Sequence, residues 1–322
     1  MMFSVVIPLY NKEHTIERAI RSVLNQTVQD SEVVVVDDGS TDGGRHIVER
    51  IGDPRVRLIH QENQGVSAAR NRGIAEARFD FVAFLDADDE WMPTFLETIV
   101  RLVGSFPQAA VYATNYLLSD ADGKAHAAVL RGLSDDSWEG VLSDYFAIAA
   151  RSDSPVCSSA VTVRRDAITS IGGFPAGVKD GEDLLTWARL AVYNEIAYSC
   201  RPCAVFWRPQ KLDDRPERND YSNDTVGQAL WALMETVESA AKPSLRDYIF
   251  RWYKSTSSIL LQLGRRRMAR REICQALRCR RLSIKIWLYF LCSLMPLGAS
   301  KWSVRQMLML SRAFHKSAKY TR

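Results

Sequence analysis

Residues 79–89, Phe-Asp-Phe-Val-Ala-Phe-Leu-Asp-Ala-Asp-Asp, run without a break from an apolar stretch, Phe81–Leu85, into three carboxylates, Asp86, Asp88 and Asp89. Apolar residues that do not alternate with polar ones mark a strand buried on both faces, as in a parallel sheet covered by helices. The same event occurs twice upstream. Phe3–Ile7 runs into Pro8-Leu9-Tyr10-Asn11, and Val33–Val36 runs into Asp37-Asp38-Gly39-Ser40. Between them, Ile16, Ala19, Ile20, Val23 and Leu24 recur at helical spacing within Glu13–Asn25. A helix over Asp42–Ile51, a strand over Val56–His60 and a helix over Val66–Ala77 continue the alternation. Strand, helix, strand at this pitch predicts a doubly wound, Rossmann-like α/β sheet. Ligands of such sheets gather outside the carboxyl ends of the strands, where Pro8–Asn11, Asp37–Thr41 and Asp86–Asp89 all fall.

Further along, the pattern predicts a helix over Phe95–Val103, a strand over Ala109–Asn115 and loops containing Asp120–Gly123 and Asp135–Gly140. A strand near Ser159–Val163, the turn Gly172-Gly173-Phe174-Pro175 and a helix opening near Glu182 follow. At 322 residues, 47% apolar and 25% charged, the chain holds a full catalytic domain and a smaller appendage, and disorder is excluded. We place the boundary near residue 225. Residues 243–322 carry 18 of the 42 Lys and Arg but only two of the 38 acids, Asp247 and Glu272, a net +16 that leaves −12 for residues 1–242. An acidic domain is thus joined to a segment suited either to an anionic surface or to an ordinary basic helical subdomain.

Six scattered cysteines do not make a disulfide scaffold. Cys200-Arg-Pro-Cys203 has redox spacing, but the sequence after it reads as strand, and a redox dithiol needs a helix N-terminus. The five histidines show no metal-binding spacing. Met1 leads directly into an apolar strand, with no room for a secretory leader, so a cytoplasmic protein is expected.

The carboxylates of Asp86-Ala87-Asp88-Asp89 are hard donors of the kind Mg²⁺ or Mn²⁺ takes singly or in pairs while phosphate oxygens fill other positions. Equally, they suit the N-terminus of the following helix. Asp38 can accept from a uracil imide or a ribose hydroxyl, with Gly39 allowing the tight turn, or Asp and Ser here can cap the next helix. Tyr10 stands where a base could stack.

VVIPLYN at 5–11, VVVVDDGSTD at 33–42, NQGVSAARNRGI at 63–74 and LDADD at 85–89 together resemble the successive motifs of the family-2 glycosyltransferases, over roughly residues 3–210. The resemblance implies a GT-A type mixed α/β sheet with a C-terminal helical extension. It divides the chain into a catalytic domain, 1–224, with a nucleotide-sugar half (1–115) and an acceptor half (116–224), and a basic helical region, 225–322. It further implies that Pro8, Leu9, Tyr10, Asn11, Glu17, Asp38, Gly39 and Ser40 surround the nucleoside of a sugar donor, with a UDP-sugar favoured. Arg70 would lie near the diphosphate with Asp86 and Ala87, and Asp86 and Asp88 would hold Mg²⁺ or Mn²⁺, Asp88 directly. Lys179-Asp180-Gly181-Glu182-Asp183 is similar to the family's acceptor-side motif, which makes Asp183 the general base of an inverting transfer, with Glu182 a second base or an acceptor ligand. Where family members often carry Tyr-Arg-x-His, this chain has Trp207-Arg208-Pro209-Gln210, and Arg208 is the candidate substitute for the histidine.

The expected acceptor is a saccharide or lipid-linked saccharide, in the synthesis of a surface polysaccharide or lipopolysaccharide. The alternatives are a nucleotide-sugar-binding module without catalysis, or a nucleic-acid binder acting through the tail, although no nucleic-acid partner is expected. The run Ile284–Ala299 is shorter than the ~20 residues of a spanning helix and contains Lys285 and Pro296. With arginines before it and Lys301 and Trp302 after it, it suits either the headgroup layer of an anionic membrane, on the inner face, or the core of a helical subdomain.

Overall fold

The structure, a computed structural model, describes residues 1–119, 124–133, 137–207 and 224–296, with single positions from 298 to 306. Asp120–Gly123, Asp135, Arg208-Pro209-Gln210, Ala299, Lys301 and Trp302, singled out above, lie outside the described residues. The chain divides into two compact units, Met1–Asn219 and Asp220–Arg322.

The first unit begins β1 (Phe3–Leu9), α1 (Ile16–Leu24), β2 (Ser31–Asp38), α2 (Gly44–Arg50), β3 (Val56–Gln61), α3 (Val66–Glu76) and β4 (Phe81–Phe84). It continues with β5 (Glu90–Trp91), α4 (Phe95–Ser105), β6 (Val111–Ser119), β7 (Ala125–Ala127), β8 (Glu139–Val141) and α5 (Tyr145–Arg151). β9 (Val161–Arg164), α6 (Arg165–Ser170), α7 (Glu182–Tyr193) and β10 (Ile196–Trp207) complete it. The sheet runs β3-β2-β1-β4-β9-β6-β10-β5, with β7 beside β6 and β8 beside β10. β3, β2, β1 and β4 are parallel; β9 enters antiparallel between β4 and β6, which makes the sheet mixed, as expected.

Every residue of β2 is buried, which is why its Val run does not alternate. Register carries the polar tips to one edge. Leu9 pairs with Asp37, Val6 pairs with Phe84, and Leu85 donates its N–H to the Val6 carbonyl, so the chain leaves β1, β2 and β4 side by side. The Cys200–Cys203 pair lies inside β10, at its register shifts beside β6, and not at a helix start.

α3 covers β1 closely because Gly73 has no side chain; a Cβ there would overlap the methyl groups of Val6. Val6 is itself fully buried.

The second unit comprises α8 (Thr225–Ala232), a 3₁₀ turn at Leu233–Glu235, α9 (Lys242–Gln262), α10 (Arg266–Cys279) and α11 (Ile284–Leu294). Asp224 caps α8 through the Gly227 N–H (3.0 Å) and accepts from the Tyr253 hydroxyl (2.6 Å), which joins α8 to α9. Leu245, Ile249, Leu260, Ile273, Ala276 and Ile286 form its interior. Among the described residues no helix is long and apolar enough to cross a membrane.

Gly73→Ala is expected to cost about 1–3 kcal/mol, the usual penalty of overpacking a filled core, measured as a lower midpoint of urea unfolding with unchanged slope.

Candidate active site

At the tips of β1 and β2, Asn11 adopts a left-handed φ of 51°. Its N–H donates to Ser40 Oγ (3.1 Å) and its Oδ1 accepts from the Thr41 N–H (2.8 Å), which binds the first tip to the second. Asp37 is buried, accepts from the Ser40 N–H and meets His60 Nδ1 at 2.9 Å. Asp38 Oδ1 accepts from Gln61 Nε2 (2.7 Å) and the Gln64 N–H (3.0 Å), and Oδ2 from the Gly65 N–H (2.8 Å). Asp38 therefore draws the loop between β3 and α3 against β2 and keeps acceptor capacity on Oδ2 for one further donor. Leu9 is buried beneath the tip, Pro8 is partly buried and Tyr10 is exposed. Glu17 lies on α1, paired with Arg21 at 2.7 Å.

The acidic turn after β4 separates its three carboxylates. Asp89 is buried, accepting from the Ser159 hydroxyl and from the Trp207 N–H (2.9 Å); it pins the turn to the end of β10. Burial, then the charges of Asp86 and Asp88, push its pKa well above the usual carboxylate range. Asp86 and Asp88 remain open, at 26% and 38% side-chain exposure, and each faces a cation. Lys12 Nζ lies 2.6 Å from Asp88 Oδ2, and Arg70 Nη2 donates to Asp86 Oδ1 at 2.7 Å.

Arg70, on α3, is 3% exposed. Its second terminal nitrogen, Nη1, donates to Glu182 Oε1 at 3.1 Å, and its guanidinium lies over the Phe174 ring, 5.1 Å from the centroid. Burial by itself lowers the Arg70 pKa, but Asp86 and Glu182 more than offset this and the guanidinium holds its proton more tightly than usual. Phe174 is held by Asn71, which donates to the Phe174 carbonyl and accepts from its N–H, both at 2.8 Å. This needs the preceding Gly173 at φ 72°, where a side chain would collide with Asn71 Oδ1.

Phe174, Phe84 of β4 and Trp187 of α7 pack ring against ring, with centroids 5.3–6.2 Å apart. That cluster sets the N-terminus of α7, which carries Glu182 and Asp183, against the end of β4. Asp183 accepts from the Leu184 N–H at 2.7 Å. Burial first and Glu182 second raise its pKa to about 7, against the lowering pull of Arg70.

The predicted acids Asp86, Glu182 and Asp183 thus share one buried cation, and Asp88 stands beside them with Lys12. Among the described residues no three His, Cys, Asp or Glu side chains are arranged to hold a metal alone. Two open carboxylates already set against positive charge do fit a cation that takes its remaining oxygens from a diphosphate. A groove lined by Asn71, Asp80, Phe81, Arg164 and Thr169 lies elsewhere, at the start of β4, and holds none of these acids.

Three residues here escaped sequence reading. Lys12 and Arg18, whose guanidinium donates to the Asp88 carbonyl, sit just past the first motif, and Ser159 bridges Asp89 and the Asp86 N–H. Only the adjacency of Lys12 to PLYN could have drawn attention to any of them.

Arg70→Met leaves Asp86 and Glu182 without their shared cation and should destabilise the chain by about 3 kcal/mol in urea unfolding. Arg70→Lys should recover only part of that loss, since an ammonium lacks the two-armed fork.

A family model described as glycosyl transferase family 2 matches residues 4–168. The putative glycosyltransferase EpsH of Bacillus subtilis is 42% identical over 103 residues, 31% of this chain and 30% of that protein. YibD of Escherichia coli, an uncharacterized glycosyltransferase, is 45% identical over 101 residues, 31% of this chain and 29% of that one. The chain therefore spans about a third of the length of these relatives. Residues 1-349 of S. aureus TarS, crystallised with UDP-GlcNAc, superpose with a TM-score of 0.68 at 19% identity, covering 95% of this chain and 92% of that one. With the family model matching half of its length and the mixed sheet of GT-A type in place, the chain belongs to glycosyl transferase family 2.

Proposed function

We propose that this chain is an inverting glycosyltransferase, its chemistry carried by residues 1–224, that moves a sugar from a nucleotide diphosphate to a saccharide or lipid-linked saccharide. The observation that carries the reading is the shared guanidinium of Arg70, which ties Asp86 of the acidic turn to Glu182 beside Asp183. Donor-side and acceptor-side carboxylates are thereby fixed on either side of one residue. A UDP-sugar is the favoured donor, a preference supported by the UDP-GlcNAc bound to TarS. Surface polysaccharide or lipopolysaccharide synthesis is the setting we assign, and contact with an anionic membrane face belongs to the same reading.

Tyr10 offers a face to the base, and the remaining acceptor position on Asp38 takes a proton donor of the nucleoside, with Pro8, Leu9, Asn11, Gly39 and Ser40 shaping the tip around it. Mg²⁺ or Mn²⁺, when held by Asp88 and Asp86, supplies the positive charge against which a diphosphate leaves. Asp183 accepts the proton of the acceptor hydroxyl as that oxygen bonds to the anomeric carbon. The bond from the anomeric carbon to the diphosphate oxygen breaks in the same displacement, and one displacement inverts the centre. Glu182, held by Arg70, keeps Asp183 basic enough for this by repulsion. Arg70 acts from behind Asp86, both of its arms being engaged by protein.

A base must be unprotonated to work, so kcat/KM should rise with pH along a limb centred on about 7 and then level, in a pH–rate profile of the free enzyme. Asp183→Asn should remove that limb and lower kcat by about 10²-fold or more while nucleotide-sugar binding persists. An undiminished kcat would remove Asp183 from the role.

Asp88→Ala should abolish the thermal stabilisation that a panel of nucleotide sugars with Mn²⁺ gives the wild-type chain, whichever donor proves best. Equal stabilisation of both proteins would refute the assignment of Asp88.

A further inference from the structure

α11 is two-sided in an unusual sense: both sides are apolar. Ile286, Tyr289 and Cys292 are buried toward α9 and α10. Ile284, Trp287, Leu288, Leu291 and Leu294 follow at spacings of three and four, so they form one stripe, and all are exposed, Ile284 at 77% and Leu294 at 59%. Leu282, just before the helix, is 94% exposed, and Met295, just after it, extends the stripe. Single exposed apolar residues need no explanation, but a contiguous stripe marks a surface that meets something.

Cations stand at both ends of the stripe. Arg281, exposed, is at its start, while Lys285 is half-buried on the side of the helix that holds Tyr289 and Cys292, and the Trp287 indole N–H donates to the Arg281 carbonyl at 2.9 Å, fastening that loop to the helix. At its far end Arg266 donates to the Met295 carbonyl and Arg270 to the Ser293 carbonyl (3.1 Å), which places two guanidinium groups beside the last turn. The acids that would oppose an anionic partner are already committed. Of the two in residues 243–322, Asp247 is paired with Arg280 at 2.6 Å and Glu272 is buried.

From this charge complementarity we propose that the exposed face of α11 docks on an anionic lipid surface. The helix lies in the headgroup layer, with Trp287, Leu288 and Leu291 entering the acyl boundary and Arg281, Arg266 and Arg270 meeting lipid phosphates. At 11 residues the helix is about 16 Å long, about half of what crossing a bilayer requires. A nucleic acid would use the same cations but has no use for a row of leucines between them. The inference rests on the membrane contact included in the proposed function and gives it a surface, while its test is independent of catalysis, since vesicle binding needs neither donor nor acceptor.

The test is flotation of the full-length chain with vesicles of phosphatidylcholine alone and of phosphatidylcholine with phosphatidylglycerol. The chain should float with the anionic vesicles and stay below with the neutral ones. Leu288→Glu with Leu291→Glu should abolish flotation while circular dichroism stays that of the wild type. Arg281→Gln should weaken partition by about fivefold, the worth of one such charge at the surface. A wild-type chain left below the anionic vesicles overturns the proposal, whether its own residues 297–322, a second copy or a polynucleotide proves to cover the face. Size-exclusion chromatography with light scattering and polynucleotide retention tell those outcomes apart. Flotation of the Leu288/Leu291 double variant equal to that of the wild type overturns it as well.

Discussion

A single buried guanidinium holds the site together. Arg70 is out of water, yet it meets Asp86 with one arm and Glu182 with the other, two residues that lie far apart in sequence on different elements. Removing a charge from water is costly, and the cost is offset here because both partners are carboxylates at hydrogen-bonding distance. Arginine is the side chain suited to this place: its planar fork serves two carboxylates at once, and its flat face lies on Phe174. The ring beneath belongs to the cluster of Phe84, Phe174 and Trp187, so the apolar core determines where the cation stands and the cation determines where the acids point.

Around that cation the charges do not balance. Asp86, Asp88, Asp89, Glu182 and Asp183 lie among Arg70, Lys12 and Arg18, five carboxylates against three cations, and Arg18 is also paired with Glu90. The excess falls on the two groups with least access to water. Asp89 takes part of it as a raised proton affinity while its oxygens are held by Ser159 and Trp207, and Asp183 takes part of it by titrating at about 7. The same excess of negative charge makes Asp183 a better proton acceptor than an ordinary aspartate.

Local pattern carried much of this. The Val run of β2, the helical spacing in α1 and the apolar stretch ending in Asp86 are readable because burial on one face or two leaves a period in the sequence. The acids of the turn and of α7 were legible as residues, and so was Arg70. Their connections were not. Arg70 and Glu182 are 112 positions apart, Lys12 and Asp88 are 76 apart, and no periodicity joins them. Residue pattern by itself did not distinguish Asp89 from Asp88, and only the family resemblance singled out Asp88, because which of two neighbouring carboxylates turns inward depends on Ser159 and Trp207, contributed by later segments. Asp38 was readable as a ligand for a nucleoside or as a helix cap, whereas Gln61 at the end of β3 and two backbone N–H groups of the loop after it occupy three of its lone-pair positions.

The second unit follows the same rule with the sign reversed. Its helices are rich in arginine and poor in acid, so most of its charge cannot be satisfied by salt bridges within the stretch 243–322. α11 adds an apolar demand to that electrostatic one. An unfilled core would explain its outward leucines only if its inward face were loosely packed, but Ile286 and Tyr289 are almost fully buried and Ser293 is closed off by its own bond to the Phe290 carbonyl. With the inward side complete, the outward stripe is not needed to pack α11 against α9 and α10. An apolar stripe bracketed by cations matches the boundary between lipid headgroups and acyl chains, where apolar and anionic surfaces lie within one helix diameter of each other.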